Sequence, residues 1–370
     1  MEKSPFTAII LSAGLSTRLK DFKPLLPLDG ALVLERVIAL YRSAGIQDIR
    51  VVTGHRAEEV MALAGRYGAR QIFNPDFAQG MFSSVVAGVS DLLPNCTGFF
   101  IHPVDIPLVR RQTLIDLQKA FKTGRTSVCY PTFLEARGHP PLISGTHVKA
   151  IKTGMAKGGL REFLNAYEVD AMDVPVIDEF ILKDIDTPED YACVLGCMDR
   201  HDIPSNAECC ALTIRQAVPQ NIIDHCLAVA DLTERLATAL NAAGCSLDIE
   251  RMVSAARVHD LARACPHHAA EGARILREMG FARIADIVEV HMDYTVNKEA
   301  SITEAEVVFL ADKWIQDDRK ISVEERFQAK LRKHGADSES RRNILRRRDN
   351  ANEAQKRVEA LMGCSIHELS

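Results

Sequence analysis

Four short apolar runs, at residues 6–11, 49–53, 98–104 and 126–130, punctuate the first part of the chain, and stretches of helical period such as 31–44 and 56–67 lie between them. Strands separated by helices pair in parallel, so the alternation predicts a mostly parallel sheet covered by helices, an α/β fold. After "DIDTPEDY" at 184–191 the pattern stops. A polar stretch, "MDRHDIPSNAE", follows, and beyond it the segments keep helical period with no convincing strand. We read an α/β domain over 1–198, a linker over 199–210, an all-α domain over 211–320 and a charged helical extension over 321–370. In that extension "RRNILRRRDN" reads as a solvated helix face.

Composition narrows the function classes. A formal net charge of −5 gives no general basic field, so nucleic acid is not expected as a partner. The longest apolar runs are strand-sized, so no membrane span is expected. Ten cysteines without a CxxC pair, in a chain with no plausible secretory signal, read as reduced thiols in the cytoplasm. The vicinal pair Cys209–Cys210 reads as ordinary packing.

The stretch "AIILSAGLSTRLKDFKPLLPLDG" at 8–30 carries the first candidate site. A loop that leaves a strand and enters a helix presents unpaired backbone N–H groups, and Gly14 lets that backbone approach a phosphate. No Gly-Lys-Ser/Thr follows, and the further glycines of a dinucleotide fingerprint are missing. Arg18 and Lys23 supply charge for a triphosphate instead. "FFIHPVDIPLV" places Asp105 at a strand's carboxyl end, where ligands collect in open α/β sheets. In "KDIDTPEDY", Asp184 and Asp186 share one face of an extended segment. Thr187, Pro188 and Asp190 then start a helix, holding Asp186 at an element boundary. Two carboxylates facing a triphosphate call for a hard divalent cation, Mg²⁺ in the common arrangement, held by Asp105 and Asp186. Asp184 and Asp190 read as structural.

The helical half carries a second. His225 lies on one stripe with Ile222, Val229 and Leu232, and His291 with Ile284, Ile287 and Val288. Asp312 falls with Ala305, Val308 and Phe309, and Asp260, beside His259, with Val253 and Ala256. Imidazoles and carboxylates turned toward a core are costly unless paired or bound to metal. Several converging on one core suggest a metal.

"LSAGLSTRLKDFKPLL", "NPDFAQGMFSSVVAG", "VDIPLV", "RGHPPLI" and "DIDTPEDY", in that order, resemble the MobA-like nucleotidyltransferases, with the molybdenum cofactor cytidylyltransferase branch nearest, over about residues 5–198. The resemblance implies a Rossmann-like, GT-A-like sheet domain and nucleotidyl transfer from an NTP to a phosphorylated small-molecule acceptor. By position, Ser12, Ala13, Gly14, Ser16 and Arg18 would grip the triphosphate, and Lys23 would reach the reacting phosphates. Gly80, Met81, Ser83 and Ser84 would line the nucleotide and acceptor pocket, and Asp105 and Asp186 would hold Mg²⁺. Ala13 follows the family's CTP pattern, so CTP is favoured over GTP, with molybdopterin as acceptor and a molybdoenzyme or its chaperone as a candidate partner. A sugar or alcohol phosphate is the alternative acceptor. The family has Arg-Met-Gly where this chain has Arg18-Leu19-Lys20, and Gly-Asp-x-Gly-Ala-Arg where it has Gly158-Gly159-Leu160-Arg161.

"VHDLA", "HAAEGARIL" and "FLADK" resemble the HD-domain metal-dependent phosphohydrolases over about 215–318. That resemblance implies one divalent ion on His225, His259, Asp260 and Asp312, and a second completed by His268 and His291 with Asp260 bridging. His268 is preferred to His267 because Gly272 then falls four residues later. Lys313 is expected to be exposed. The alternative role for this half is a module that senses a nucleotide without hydrolysing it.

Overall fold

The computed structural model describes residues 4–19, 21–93, 95–124, 126–153, 159–334 and 337–369. The chain forms two compact units, one ending at His201 and the other beginning at Asp202. In chain order the first unit contains β1 (Phe6–Ser12), a hairpin of β2 (Pro27–Leu28) and β3 (Ala31–Leu32), α1 (Val33–Ser43), β4 (Asp48–Thr53), α2 (Ala57–Arg66) and β5 (Arg70–Phe73). It continues through α3 (Met81–Ser90), β6 (Gly98–Pro103), α4 (Arg111–Thr123), β7 (Val128–Phe133), β8 (Ala136–Arg137) and β9 (Leu142–Ser144). It closes with α5 (Val148–Lys152), α6 (Gly159–Asn165), β10 (Ala171–Pro175) and α7 (Pro188–Gly196).

The sheet runs β10-β7-β9-β6-β1-β4-β5, with β8 added to β7. It is parallel except at β8 and β9, which lie antiparallel to their neighbours. β1 is buried along its whole length, as a strand covered on both faces must be. From β1 the chain crosses to β4 and β5 on one side, then returns to β6 on the other. The loops after β1 and β6 therefore diverge, opening a crevice at the carboxyl end of the sheet. Ile9, Leu11, Val52, Val85, Phe99 and Ile143 form the core on one face. On the other, the Tyr41 hydroxyl meets His102 Nδ1 at 2.9 Å, and burial pushes that imidazole down to about 4.

One expectation fails here. The loop after β1 does not enter a helix, because Ser16 sits in the left-handed region (φ 54°), Pro24 and Pro27 interrupt the path, and α1 begins only at Val33. The start of α7 follows the sequence reading, with Thr187 and Asp190 forming a capping box and Pro188 at the first helical position.

The second unit is built from α8 (Asn206–Arg215), α9 (Gln220–Ala242), α10 (Ile249–Val258), α11 (His268–Met279), α12 (Ala282–Val290), α13 (Glu304–Trp314), α14 (Val323–His334) and α15 (Ser338–Met362). A two-residue ribbon, β11 (Ile315–Gln316) with β12 (Arg319–Lys320), is added. α13 is buried on every side from Glu306 to Trp314, the mark of a central helix. Residues 206–210, expected as linker, already belong to α8, because Ser205 and Glu208 make a capping box. In the extension "RRNILRRRDN" at 341–350 stays exposed or half-buried, and other residues do the packing. Phe327 of α14 and Ala351, Ala354 and Val358 of α15 are buried, and Arg357 reaches Glu306 of α13 at 3.0 Å. All ten cysteines are free thiols; Cys209 is buried and Cys210 exposed. Among the described residues no helix is long and apolar enough to cross a membrane.

Candidate active sites

The crevice of the first unit brings distant residues together around one ammonium. Lys23 Nζ donates to Asp105 Oδ2 at 2.8 Å and to Asp186 Oδ1 at 2.6 Å, and the exposed Arg18 guanidinium pairs with the second oxygen of Asp186. Asp105 follows β6, and its carbonyl accepts from the Ile185 amide at 2.9 Å, which fixes the distance between the two acid-bearing segments. The Asp186 amide donates to Asp190 at 3.1 Å, so the cap of α7 fixes the second acid. Burial would lower the Lys23 pKa, but hydrogen bonds and charge from Asp105 and Asp186 outweigh it and raise it. Lys23 in turn holds Asp186 below the usual carboxylate range. Burial, with Asp186 and Asp105 nearby, pushes the Asp184 carboxyl up.

A cavity of about 390 Å³ adjoins this cluster, lined by residues 11–17, Lys23, Gly80, Met81, Ser84 and Asp105 among others. A Cβ on Gly14 would meet nothing within 4 Å, so the loop backbone faces open space. Ser16 accepts from the Lys23 amide at 3.1 Å, folding the loop back toward the lysine. Ser12 Oγ is buried without a hydrogen-bond partner among the described residues. Gly80, at φ 105° and ψ 174°, occupies a conformation that only glycine takes readily, and it begins α3. Ser83 lies off the cavity wall and donates to the carbonyls of Asp76 or Gly80. Lys20 and Gly158, two of the departures from the family pattern, lie outside the described residues.

Two residues here escaped the sequence reading. Buried Asn74 donates to Ser83 and Ser84 at 2.9 and 3.0 Å and accepts from the Asp76 amide, so it sets the turn before α3. His139 has a buried Nδ1 with no partner among the described residues, in the field of Asp105 and Asp184, and burial lowers its pKa. The motif "NPDFAQG" contains the first and "RGHPPLI" the second, but neither motif says which member turns inward.

In the second unit five helices and the turns after them deliver six groups to one place. His225 comes from α9, His259 and Asp260 follow α10, His268 opens α11, His291 follows α12 and Asp312 lies on α13. Asp260 Oδ1 is 3.2 Å from His268 Nε2 and 3.5 Å from His291 Nε2, and its Oδ2 is 3.6 Å from His259 Nε2. Asp312 Oδ1 is 3.2 Å from His225 Nε2 and 3.9 Å from His259 Nε2. The ligand atoms of His225, His259 and Asp260 lie within 4.8 Å of one another, as do those of Asp260, His268 and His291. Asp260 is common to both groups. His267 is exposed and caps α11, whereas His268 faces the cluster.

Tautomers support metal binding. The Nδ1 atoms of His225, His259 and His291 lie 2.8, 2.8 and 2.6 Å from the carbonyls of Asp317, Ala256 and Val288. A carbonyl can only accept, so each Nδ1 carries the hydrogen and each Nε2 offers a lone pair inward. His259 and His291 have buried Nε2 atoms without a hydrogen-bond partner among the described residues. Burial lowers the His259 pKa to about 4, keeping it neutral and able to ligate. Imidazole and carboxylate donors in this set suit a divalent transition ion.

Lys313 corrects the sequence reading, which expected it exposed. It is 1% exposed and donates to the His291 carbonyl at 3.0 Å and to Asp312 Oδ2 at 2.5 Å. Burial lowers its pKa, and its charge helps keep Asp312 ionised.

Two family models match the chain: a MobA-like NTP transferase domain over residues 8–171 and an HD domain over residues 222–315. An uncharacterised protein of Methanocaldococcus jannaschii is 34% identical over 93 residues, 24% of this chain, and the chain spans about half (55%) of that relative. The molybdenum cofactor cytidylyltransferase of Escherichia coli is 30% identical over 193 residues, covering 51% of this chain and 94% of that protein. The nicotine blue oxidoreductase of Paenarthrobacter nicotinovorans is 30% identical over 193 residues, covering 50% of this chain and 93% of that one.

Proposed function

Because the chain belongs to the MobA-like NTP transferase family and carries an HD domain behind it, we propose that it transfers a nucleotidyl group from an NTP to a phosphorylated acceptor and hydrolyses a phosphate ester in its second unit. CTP is the favoured donor and molybdopterin the favoured acceptor, in the cytoplasm. The observation that carries the first activity is the convergence of Asp105, Asp186 and Lys23 at the mouth of the cavity. The acids present hard oxygen donors to one cation position, which fits Mg²⁺; the ion would neutralise phosphate charge when bound. The chain's own part is alignment. Loop amides from Ala13 to Ser16 receive the phosphates, Arg18 and Lys23 balance their charge, and the turn set by Asn74 orients α3 beneath the nucleotide. An acceptor phosphate oxygen attacks the α-phosphorus and pyrophosphate leaves, so no protein nucleophile is needed.

In the second unit His225, His259, Asp260 and Asp312 would hold one divalent ion and His268 and His291, with Asp260, another. Bound there, such ions supply an activated water for attack on phosphorus. The Nδ1 hydrogen bonds orient the imidazoles, and Lys313 holds Asp312 in place.

Similarity to an oxidoreductase supports a second reading for the first unit, in which the same crevice serves redox chemistry. Purified protein with Mg²⁺ and each NTP separates the two. Pyrophosphate release that requires CTP and molybdopterin supports the proposal. Release only with another phosphate ester moves the acceptor assignment, and no release with any pair removes the transferase reading.

A further inference from the structure

The imidazoles of the metal-ligand cluster are oriented in two different ways. His259 and His291 find their Nδ1 carbonyls on Ala256 and Val288, three residues earlier in the chain, so the helical turns that carry them also orient them. His225 instead meets the carbonyl of Asp317, 92 residues further on, at 2.8 Å. Asp317 stands in the two-residue turn of the β11–β12 ribbon, in the left-handed region (φ 55°). Gln316 to Lys320 are exposed, so burial does not hold that turn in place. Nor does the pairing, since a two-stranded ribbon is marginal by itself and this one pairs two residues on each side. The position of the Asp317 carbonyl therefore comes from what the ribbon is tied to.

Both strands are tied. Arg326 of α14 donates to the carbonyls of Asp312 and Ile315, which fixes β11. Lys320 Nζ, on β12, donates to the carbonyls of Ile366 and Leu369 at 2.7 and 3.1 Å, both in the segment after α15. That segment is itself docked. Gly363 ends α15 in the left-handed region, and Glu359 then accepts from the Ser365 hydroxyl at 3.1 Å and the Ile366 amide at 3.0 Å. Ile366 is fully buried, and the His367 ring meets Trp314 edge-on with centres 4.6 Å apart. β12 and the segment lie beyond residue 315, where the match to an HD domain ends.

We propose that the segment 364–369 is a positioning element of the metal centre. Through Lys320 it fixes β12, and through β12 the Asp317 carbonyl, so that His225 keeps its hydrogen on Nδ1 and turns Nε2 toward the ligand position it shares with His259 and Asp260. The proposal rests on reading the cluster as a metal centre and adds which part of the chain sets one of its ligands. Lys320 is a positioning residue and not a ligand. The centre is then built unequally: the position made by Asp260, His268 and His291 is independent of the segment, and the position that uses His225 is not.

The test uses the full chain with Asp105→Asn and Asp186→Asn, so that the acids of the first unit do not compete for Mn²⁺, the probe ion. Free Mn²⁺ is followed by electron paramagnetic resonance, and the imidazole tautomers of the metal-free chain by long-range proton–nitrogen correlation, with the His225 signal identified by its loss in His225→Gln. Lys320→Met keeps the stem beside Trp314 and removes the donor. It should weaken one of the two Mn²⁺ positions by about 10- to 100-fold, the cost of disturbing a group that orients a ligand, and leave the other unchanged. The His225 signal should change from the single Nδ1–H tautomer to a mixture, and Lys320→Arg should restore both readouts. Ile366→Ala, which loosens the segment with Lys320 intact, should repeat the Lys320→Met result, and Trp314 fluorescence checks that each variant remains folded. Mn²⁺ affinities and a His225 tautomer unchanged in both Lys320→Met and Ile366→Ala would overturn the proposal and leave the metal reading standing. Equal weakening of both positions would overturn it too, since that marks a general loss of stability. Mn²⁺ uptake indifferent to both His225→Gln and Asp260→Ala removes the metal reading itself.

Discussion

Replacing Lys330 with methionine keeps the stem that covers Phe327 and removes only the ammonium, which lies 5.5 Å from that ring's centre. Burial, then Arg326, Lys313 and Arg347, bring this lysine from its ordinary 10.5 to about 8, with Asp312 alone opposing. The difference amounts to about 3 kcal/mol of unfavourable charge in the folded unit. Loss of the ring contact takes back about 0.5–1 kcal/mol, leaving Lys330→Met more stable by about 2 kcal/mol at pH 7. Below pH 8 both states hold the proton and the full penalty applies. Between 8 and 10.5 the unfolded chain holds a proton that the folded one has released, so wild-type stability rises with pH and the variant's advantage fades. Urea unfolding of metal-free protein, followed by fluorescence, reads this unit alone, because Trp314 is the chain's one tryptophan and is buried in α13. A variant no more stable than wild type at pH 7, or one whose advantage persists above pH 10.5, would refute the reasoning.

Asp260→Ala should empty both metal positions, whereas His225→Ala should reduce only one, a difference that elemental analysis reads directly. Asp178 is fully buried and accepts from the Arg110 amide at 2.7 Å, the Thr113 hydroxyl at 2.6 Å and the Phe180 amide at 3.1 Å. Asp178→Ala removes the buried carboxylate that accepts from all three donors, and the first unit should lose about 3 kcal/mol in circular-dichroism unfolding while Trp314 fluorescence stays unaffected. Gly80→Ala strains the turn by about 1–3 kcal/mol and should raise KM for the NTP more than it lowers kcat.

The sequence disclosed what repeats and concealed what depends on partners. β1, β4, β6 and β7 were visible as apolar runs because strands covered on both faces have no polar side to show. β9, the three residues that directly follow the two prolines of "GHPPLIS", is too short to carry a period, so the antiparallel strand within the sheet was not legible. The acids at 105 and 186 were legible as ends of elements, and His225, Asp260, His291 and Asp312 as polar residues on apolar stripes, whereas His259 and His268 entered through the family resemblance. Lys313 was not. Its neighbours Asp312 and Trp314 give no sign that α13 is packed on every side, by α9, α10, α12, α14 and α15, and that packing is what buries it. The same enclosure hid Lys330 and Arg347, whose surroundings in sequence are those of any exposed helix. The cap that starts α8, "SNAE", stands inside a polar stretch whose composition is that of a linker.

The account stands on two acids acting together through one crevice. Transfer of label from [α-³²P]CTP to molybdopterin, or to a sugar or alcohol phosphate, tests that directly in wild type, Asp105→Asn and Asp186→Asn. Labelled product should form with one pyrophosphate released for each transfer. Either substitution should slow it by roughly 100- to 1,000-fold, equivalent to about 3–4 kcal/mol of barrier. Transfer that proceeds at the wild-type rate in both variants would contradict the account.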